Sequence, residues 1–251
     1  IPLNGTVNVV IDWGDGNSDA YTTTGVKTHT YASNGTYTVE VSGLLTAFGF
    51  GSVPRATLTK CLSFGDLGLV SLANGFFSCP NLNELPTVLP STVVSLGNLL
   101  VGCSSFNFNI NDWDTSNVTN MLGCFANCTS FNQPLNNWNT SSVTLMQSMF
   151  IGTPFNQNIG GWNVSSVTNM SQLFLSAASF NQNIGGWDMG AVTSANEMFR
   201  SATAFNQDLS GIVTGLTAQP TYFSRAGNVV FRNNANGLKP FLADGVTQIT
   251  T

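Results

Sequence analysis

Few residues in this sequence could do acid–base or nucleophilic chemistry. His29 is the single histidine, set in Thr28-His-Thr-Tyr31 with no nucleophile motif beside it. A hydrolytic triad needs a nucleophile, a base and an orienting acid within reach of one another. His29 therefore reads as a packing or hydrogen-bonding residue, and no catalytic residue is expected. Asp12, Asp15, Asn17 and Asp19 form a small acidic cluster. The run Asp15-Gly-Asn17-Ser-Asp19 sets oxygen donors at alternate positions, as calcium loops do. No bidentate Glu follows at the right distance, and Asp15-Gly16 is by itself a tight-turn signal. Calcium at these four residues is the one metal the sequence leaves open; no other cofactor is expected.

The cysteines are the other candidate ligands. Cys79, Cys103 and Cys128 each stand three residues before Leu82, Phe106 and Phe131, and Gly152, Ala177 and Ala202 hold the same place later. A position that accepts Cys, Gly and Ala is small and buried. A Cys103–Cys128 disulfide remains an alternative if the two come close. Zinc held with Cys124 lacks the paired Cys-x-x-Cys spacing of four-ligand sites.

Composition limits the partners. Only 8% of residues are charged, against roughly 25% in an average domain. The net charge is −5, and no Lys or Arg occurs between Lys60 and Arg200. Phosphate-backbone binding needs clustered cations, so nucleic acid is excluded as a partner, as is electrostatic attachment to anionic lipid. No apolar run reaches the roughly 18 residues of a spanning helix. The chain opens at Ile1 without an initiator Met, which reads as a processed or truncated product.

The elements that must position these residues are repeats. Phe106, Phe131, Phe155, Phe180 and Phe205 recur every 24 or 25 residues. Trp113, Trp138, Trp162 and Trp187 follow in register, then Val118, Val143, Val167 and Val192, each before a Thr. Met121, Met146, Met170 and Ala195 form a fourth column, and Phe125, Phe150, Phe174 and Phe199 a fifth. Phe64, Leu69, Leu72 and Phe76 fit the Trp, Val, Met and Phe columns, as do Val88, Val93, Leu96 and Leu100. Ile212, Leu216 and Phe223 make a degraded last copy. A period of this length is one solenoid coil, which buries its apolar face only when stacked. The expected fold class is a β-rich solenoid, with a short strand at Ser-Val-Thr-Asn-Met and one helical turn from Met121 to Phe125. Rungs about 4.8 Å apart would make seven coils about 30–35 Å long.

The stretch from Val70 to Leu82 resembles the BspA-type leucine-rich repeat, and Phe155 to Met170 its 25-residue variant. The resemblance implies an extracellular, non-enzymatic surface repeat protein. Ile11-Asp-Trp-Gly-Asp-Gly16, Thr28-His-Thr-Tyr31 and the alternating Gly35-Thr-Tyr-Thr-Val-Glu-Val41 resemble a PKD-type, immunoglobulin-like β-sandwich. Only about half of such a module is present, so residues 1–45 read as a PKD-like β segment or a cap on the solenoid. Residues 46–57 read as a linker, 58–227 as six to seven coils of 24–25 residues, and 228–251 as a C-terminal cap.

Within the coils the Trp column reads as core rather than an exposed aromatic ladder. Asn107, Asn132, Asn156, Asn181 and Asn206 read as an internal ladder whose amides satisfy the next coil's backbone. Thr119, Thr144, Thr168 and Thr193, with Gln133, Gln157, Gln182 and Gln207, are expected to face solvent and supply the binding face. The functional expectation is a surface adhesin or recognition module for a host glycan or protein. The alternative is a structural component: a virion decoration or fibre protein, or a subunit of a cell-surface assembly meeting partner subunits.

Overall fold

A computed structural model describes residues 1–49, 55–207, 209, 212, 230–234 and 237–241. The N-terminal part is a four-stranded antiparallel sheet built on β1 (Pro2–Asp12). Val7, Val9 and Ile11 are buried while Asn8, Val10 and Asp12 are exposed, the period-two pattern of a half-covered strand. β2 (Ser18–Tyr21) and β3 (Gly25–Val26) pair along one edge of β1, and β4 (Glu40–Phe48) along the other. The β1–β4 register shifts between Asn4 and Val7. Gly5 sits there at φ +65°, and a Cβ would lie 2.3 Å from Thr46 Oγ1, so the bulge requires glycine.

The alternating Gly35–Val41 pattern predicts a strand that the structure starts only at Glu40. Tyr37 is taken out of the sheet: its ring stacks on Tyr31 at 3.9 Å and its hydroxyl donates to the Ser33 carbonyl at 2.8 Å. At its other end β4 runs to Phe48, into the segment read as a linker. There it meets the repeats. Ala47 bridges Ser71 in parallel, and the Val70 N–H donates to Thr46 O at 2.8 Å. The sheet thus supplies the rung on which the first repeat lies.

From Ser71 the same parallel bridge recurs at Ser95, Asn120, Leu145, Asn169 and Ser194. The steps along the chain are the 24 and 25 residues of the sequence period. The strand expected at Ser-Val-Thr-Asn-Met contracts to one bridge per repeat. The helical turn expected at Met121–Phe125 does not form. Cys124, Ala126 and Cys128 donate N–H groups back to Met121, Gly123 and Phe125. Gly123, Phe125 and Asn127 donate instead to Gln147, Met149 and Ile151 of the next repeat, at 2.8, 3.0 and 2.7 Å. Left-handed backbone at Gly123 (φ 60°) and Asn127 (φ 58°) turns alternate N–H groups outward. A helix would keep all of them inside its own segment.

The Phe, Trp, Val and Met columns are buried. Phe125, Phe150, Phe174 and Phe199 stack with centroids 5.5–5.7 Å apart. That exceeds the rung spacing of about 4.8 Å, so the rings slide into offset stacking. Each Trp indole N–H donates to a carbonyl of the repeat before: Trp113 to Pro86, Trp138 to Ile110, Trp162 to Leu135 and Trp187 to Ile159, at 2.8–3.2 Å. Val88 does not join the Trp column; it is exposed, and Leu89 takes the buried place. Leu89 is the residue 24 positions before Trp113, and Pro86 and Pro90 frame a loop that ejects Val88.

All five cysteines are free thiols. Cys103 and Cys128 donate to the Phe76 and Leu100 carbonyls at 3.0 and 2.9 Å. Each therefore bonds the repeat before it rather than its neighbour in the column. Burial pushes the Cys61 and Cys79 thiols up to about 11 and Cys103 to about 12. Of the expected C-terminal cap, β5 (Val230–Asn234) and β6 (Gly237–Phe241) form an antiparallel hairpin. The remainder of 228–251, with Leu216 and Phe223, lies outside the described residues.

Candidate functional site

Thr119, Thr144, Thr168 and Thr193 are exposed and one rung apart. Each backbone N–H donates to the carbonyl of the residue one rung back: Val94, Thr119, Thr144 and Thr168. Each side-chain hydroxyl donates to the same carbonyl, at 3.3, 3.2, 3.2 and 3.0 Å. This second bond fixes χ1, which a β-branched residue restricts already. The column is a rigid, uncharged strip, and Val70 and Val94 continue it towards the N-terminal sheet.

The glutamines are placed differently from the expectation. Gln133, Gln157, Gln182 and Gln207 are half-buried rather than turned to solvent. Gln157 Nε2 donates to Asn132 Oδ1 at 3.1 Å. Gln182 Nε2 donates to both O and Oδ1 of Asn156 at 2.9 Å, and Gln207 does the same at Asn181. Their amides belong with the asparagine ladder. Asn107, Asn132, Asn156 and Asn181 each accept, through Oδ1, the backbone N–H of the next Asn at 2.9–3.0 Å. The backbone turns here carry no bridge of their own, so side-chain amides replace it.

The N-terminal acidic residues do not converge. Asp12 Oδ1 accepts the Gly14 N–H at 2.8 Å. Asp15 Oδ1 accepts the Asn17 backbone and side-chain N–H groups, both at 3.1 Å, while Oδ2 lies 2.7 Å from His29 Nε2. Asp19 Oδ2 accepts the Trp13 indole N–H at 2.8 Å. Among the described residues no three His, Cys, Asp or Glu side chains are grouped as a metal site. Asp12, Asp15 and Asp19 fasten the β1–β2 turn through these hydrogen bonds. The hydrogen bond from His29 holds the Asp15 carboxyl below its ordinary value, with Asn17 adding to the effect. His29 also stacks on Trp13 at 5.0 Å and meets Tyr31 edge-on at 4.7 Å. Tyr31 OH donates to Trp13 O at 3.0 Å. His29 is thus a packing residue with a hydrogen-bond partner, Asp15, that its sequence position did not reveal.

Leu62, Phe64, Asp66, Pro86, Val88 and Pro90 line an open hollow of about 540 Å³. Its trace in the sequence is the Pro86-Thr-Val-Leu-Pro90 segment, in which Leu89 is buried and Val88 exposed.

Among the described residues no helix is long and apolar enough to cross a membrane. No curated protein matches the chain, and no solved structure does. The family described as Mycoplasma protein of unknown function, DUF285, matches twice, at residues 70–154 and 151–233, nearly two thirds of the chain. The two matches run consecutively, overlapping at residues 151–154, and the chain belongs to this DUF285 repeat family.

Proposed function

We propose that the chain is an extracellular, non-enzymatic recognition module of a surface protein. In this reading residues 58–227 are a leucine-rich-repeat-like solenoid of the BspA type, capped by the N-terminal, PKD-like sheet. The observation that carries it is the threonine strip. Thr119, Thr144, Thr168 and Thr193 are exposed, aligned one rung apart and fixed by their own hydroxyl bonds. A rigid face loses little side-chain entropy on binding. With no cation from Cys61 to Phe199, contact there rests on neutral hydrogen bonds and methyl groups. The partner class is a glycan or protein of a host surface.

The test is binding of the purified chain to a glycan array and to immobilised host-surface proteins. Saturable binding should change less than about twofold between low and high salt, since screening acts on charges. Thr144→Glu with Thr168→Glu should weaken it at least tenfold while leaving the melting temperature near that of the parent. Binding untouched by that pair of substitutions would remove the strip from the mechanism. Absence of any ligand, with assembly of the chain into fibres, would point to a structural subunit.

A further inference from the structure

Asn-Gly occurs four times in the sequence, at Asn4, Asn34, Asn74 and Asn236. Glycine has no Cβ, so its nitrogen is the least hindered backbone nucleophile towards the amide carbon of a preceding Asn. That intramolecular attack needs a backbone able to bend and a glycine N–H not engaged elsewhere. The fold treats the pairs differently. Asn74 is locked into a rung: its N–H donates to Gly97 O and the Gly75 N–H to Leu72 O, both at 2.8 Å. A Cβ on Gly75 would lie 2.9 Å from Leu72 O and from Leu99 Cδ1, so the pair is packed in place. Asn4 lies in β1 opposite Ala47 of β4, and its Nδ2 donates to Gly49 O at 3.0 Å. Asn236 lies outside the described residues.

Asn34 is the exception. With Gly35 and Thr36 it is exposed, in chain between β3 and β4 that belongs to no strand. Among the described residues neither its side-chain amide nor the Gly35 N–H has a hydrogen-bond partner. Only the ends of the loop are held. Tyr37 OH donates to Ser33 O at 2.8 Å and lies 3.1 Å from Ser33 Oγ, a clasp with Asn34 and Gly35 at its tip. The Tyr37 ring in turn stacks on Tyr31 at 3.9 Å.

We propose that Asn34 is a self-modification site whose co-reactant is water. The Gly35 nitrogen bonds to Asn34 Cγ, the Cγ–Nδ2 bond breaks, and ammonia leaves with the proton of the Gly35 N–H. Water then opens the cyclic imide. Cleavage between Gly35 N and Asn34 Cγ gives Asp. Cleavage between Gly35 N and the Asn34 main-chain carbonyl carbon gives isoaspartate, with one more methylene in the main chain. Water enters, ammonia leaves, and nothing is oxidised or reduced. Either product adds one negative charge to a chain whose net charge is −5. Isoaspartate also lengthens the loop inside the Ser33–Tyr37 clasp and pulls Tyr37 off Tyr31. The site is an irreversible record of age on the N-terminal sheet, separate from the threonine strip.

The test holds the purified chain in mildly alkaline buffer and maps timed digests by mass. Lys27 and Arg55 bound a tryptic peptide that contains Asn34 and no other Asn-Gly pair; a second protease isolates Asn4 and Asn74. In the folded chain Asn34 should convert at least tenfold faster than Asn4 or Asn74, and enzymatic carboxyl methylation should detect isoaspartate in its peptide. In urea the three rates should converge, because the pairs are alike in sequence and the protection of Asn4 and Asn74 is structural. Asn34→Gln should abolish conversion in that peptide and, at an exposed position, leave the melting temperature unchanged. The near-UV circular dichroism of the tyrosines should fall as the chain ages, and Asn34→Asp should not reproduce the fall. The proposal is overturned if Asn34 keeps its amide in the folded chain while converting in urea, or if folded Asn4 or Asn74 converts as fast. Formation of Asp without isoaspartate, or an aged chain with the parent's near-UV spectrum, would overturn the release of the clasp.

Discussion

Phe150→Ala probes the stack at its centre. The Phe150 side chain is fully buried. Its ring lies 4.2 Å from Phe155, 5.6 Å from Phe125, 5.7 Å from Phe174 and 6.2 Å from Trp162. Truncation therefore opens a void bounded by rings on the rungs before and after. Those rungs are pinned by backbone bonds, Phe125 N–H to Met149 O at 3.0 Å and Phe150 N–H to Leu173 O at 2.9 Å. They cannot close around the gap without breaking the ladder. Phe→Ala in a core costs about 3–5 kcal/mol, more where the site collapses least. Stacked aromatic neighbours add about 0.5–1.5 kcal/mol per pair beyond area, so the upper half of that range is expected. At about 2–4 °C per kcal/mol for a chain of this size, melting should fall by roughly 10–15 °C. Urea unfolding by tryptophan fluorescence and a calorimetric scan would both read it. A loss below about 1 kcal/mol would refute the reasoning, because it would mean that adjacent repeats relax independently.

The remaining predictions concern polar groups. Asn156→Ala strips the acceptor from the Asn181 N–H and the Gln182 amide, both at 2.9 Å, and should cost about 1–2 kcal/mol in urea unfolding; a neutral result would mean that water replaces the ladder. Stability should be full below the ordinary thiol value of 9.0 and fall as pH rises through about 11–12, because burial raises Cys61, Cys79 and Cys103 in the folded state only. Melting temperatures from pH 8 upwards should show that decline, and Cys103→Ala should make it shallower. At the acid end Asp15 is depressed by His29, so its contribution is present above its ordinary 3.8 and disappears as pH drops through the lower folded value. Asp15→Asn should reduce the slope of melting temperature against pH below about pH 4; an unchanged slope would show that the pair adds nothing.

The repeat period, the buried columns and the N-terminal sheet could all be read from residue types. A column that stays apolar in every copy, and is Phe or Met in most, must be inside, because only burial selects large apolar side chains at one recurring position. The same logic recognised the small cysteine position and the asparagine ladder, which the bonds between Asn107, Asn132, Asn156, Asn181 and Asn206 fill as expected. Such patterns fix which residues share a surface, and they do so without coordinates.

Outside the asparagine ladder, where polar groups find their partners was decided by the tertiary structure. A Gln that follows a buried Phe looks like a surface residue in sequence, yet Gln182 reaches an asparagine 26 residues away. The turn at Met121–Phe125 has helical apolar spacing, but its alternate N–H groups are satisfied across a rung rather than within a helix. Asp15 and Asp19 carry the donor spacing of a cation loop, and His29 and Trp13 claim their oxygens. Val88 and Leu89 are both aliphatic and adjacent, and only the folded chain shows that Leu89 is buried and Val88 exposed. Apolar burial depends on side-chain type, which the sequence states outright. A hydrogen bond depends on direction and on which rung lies opposite, and these exist only once the repeats are stacked.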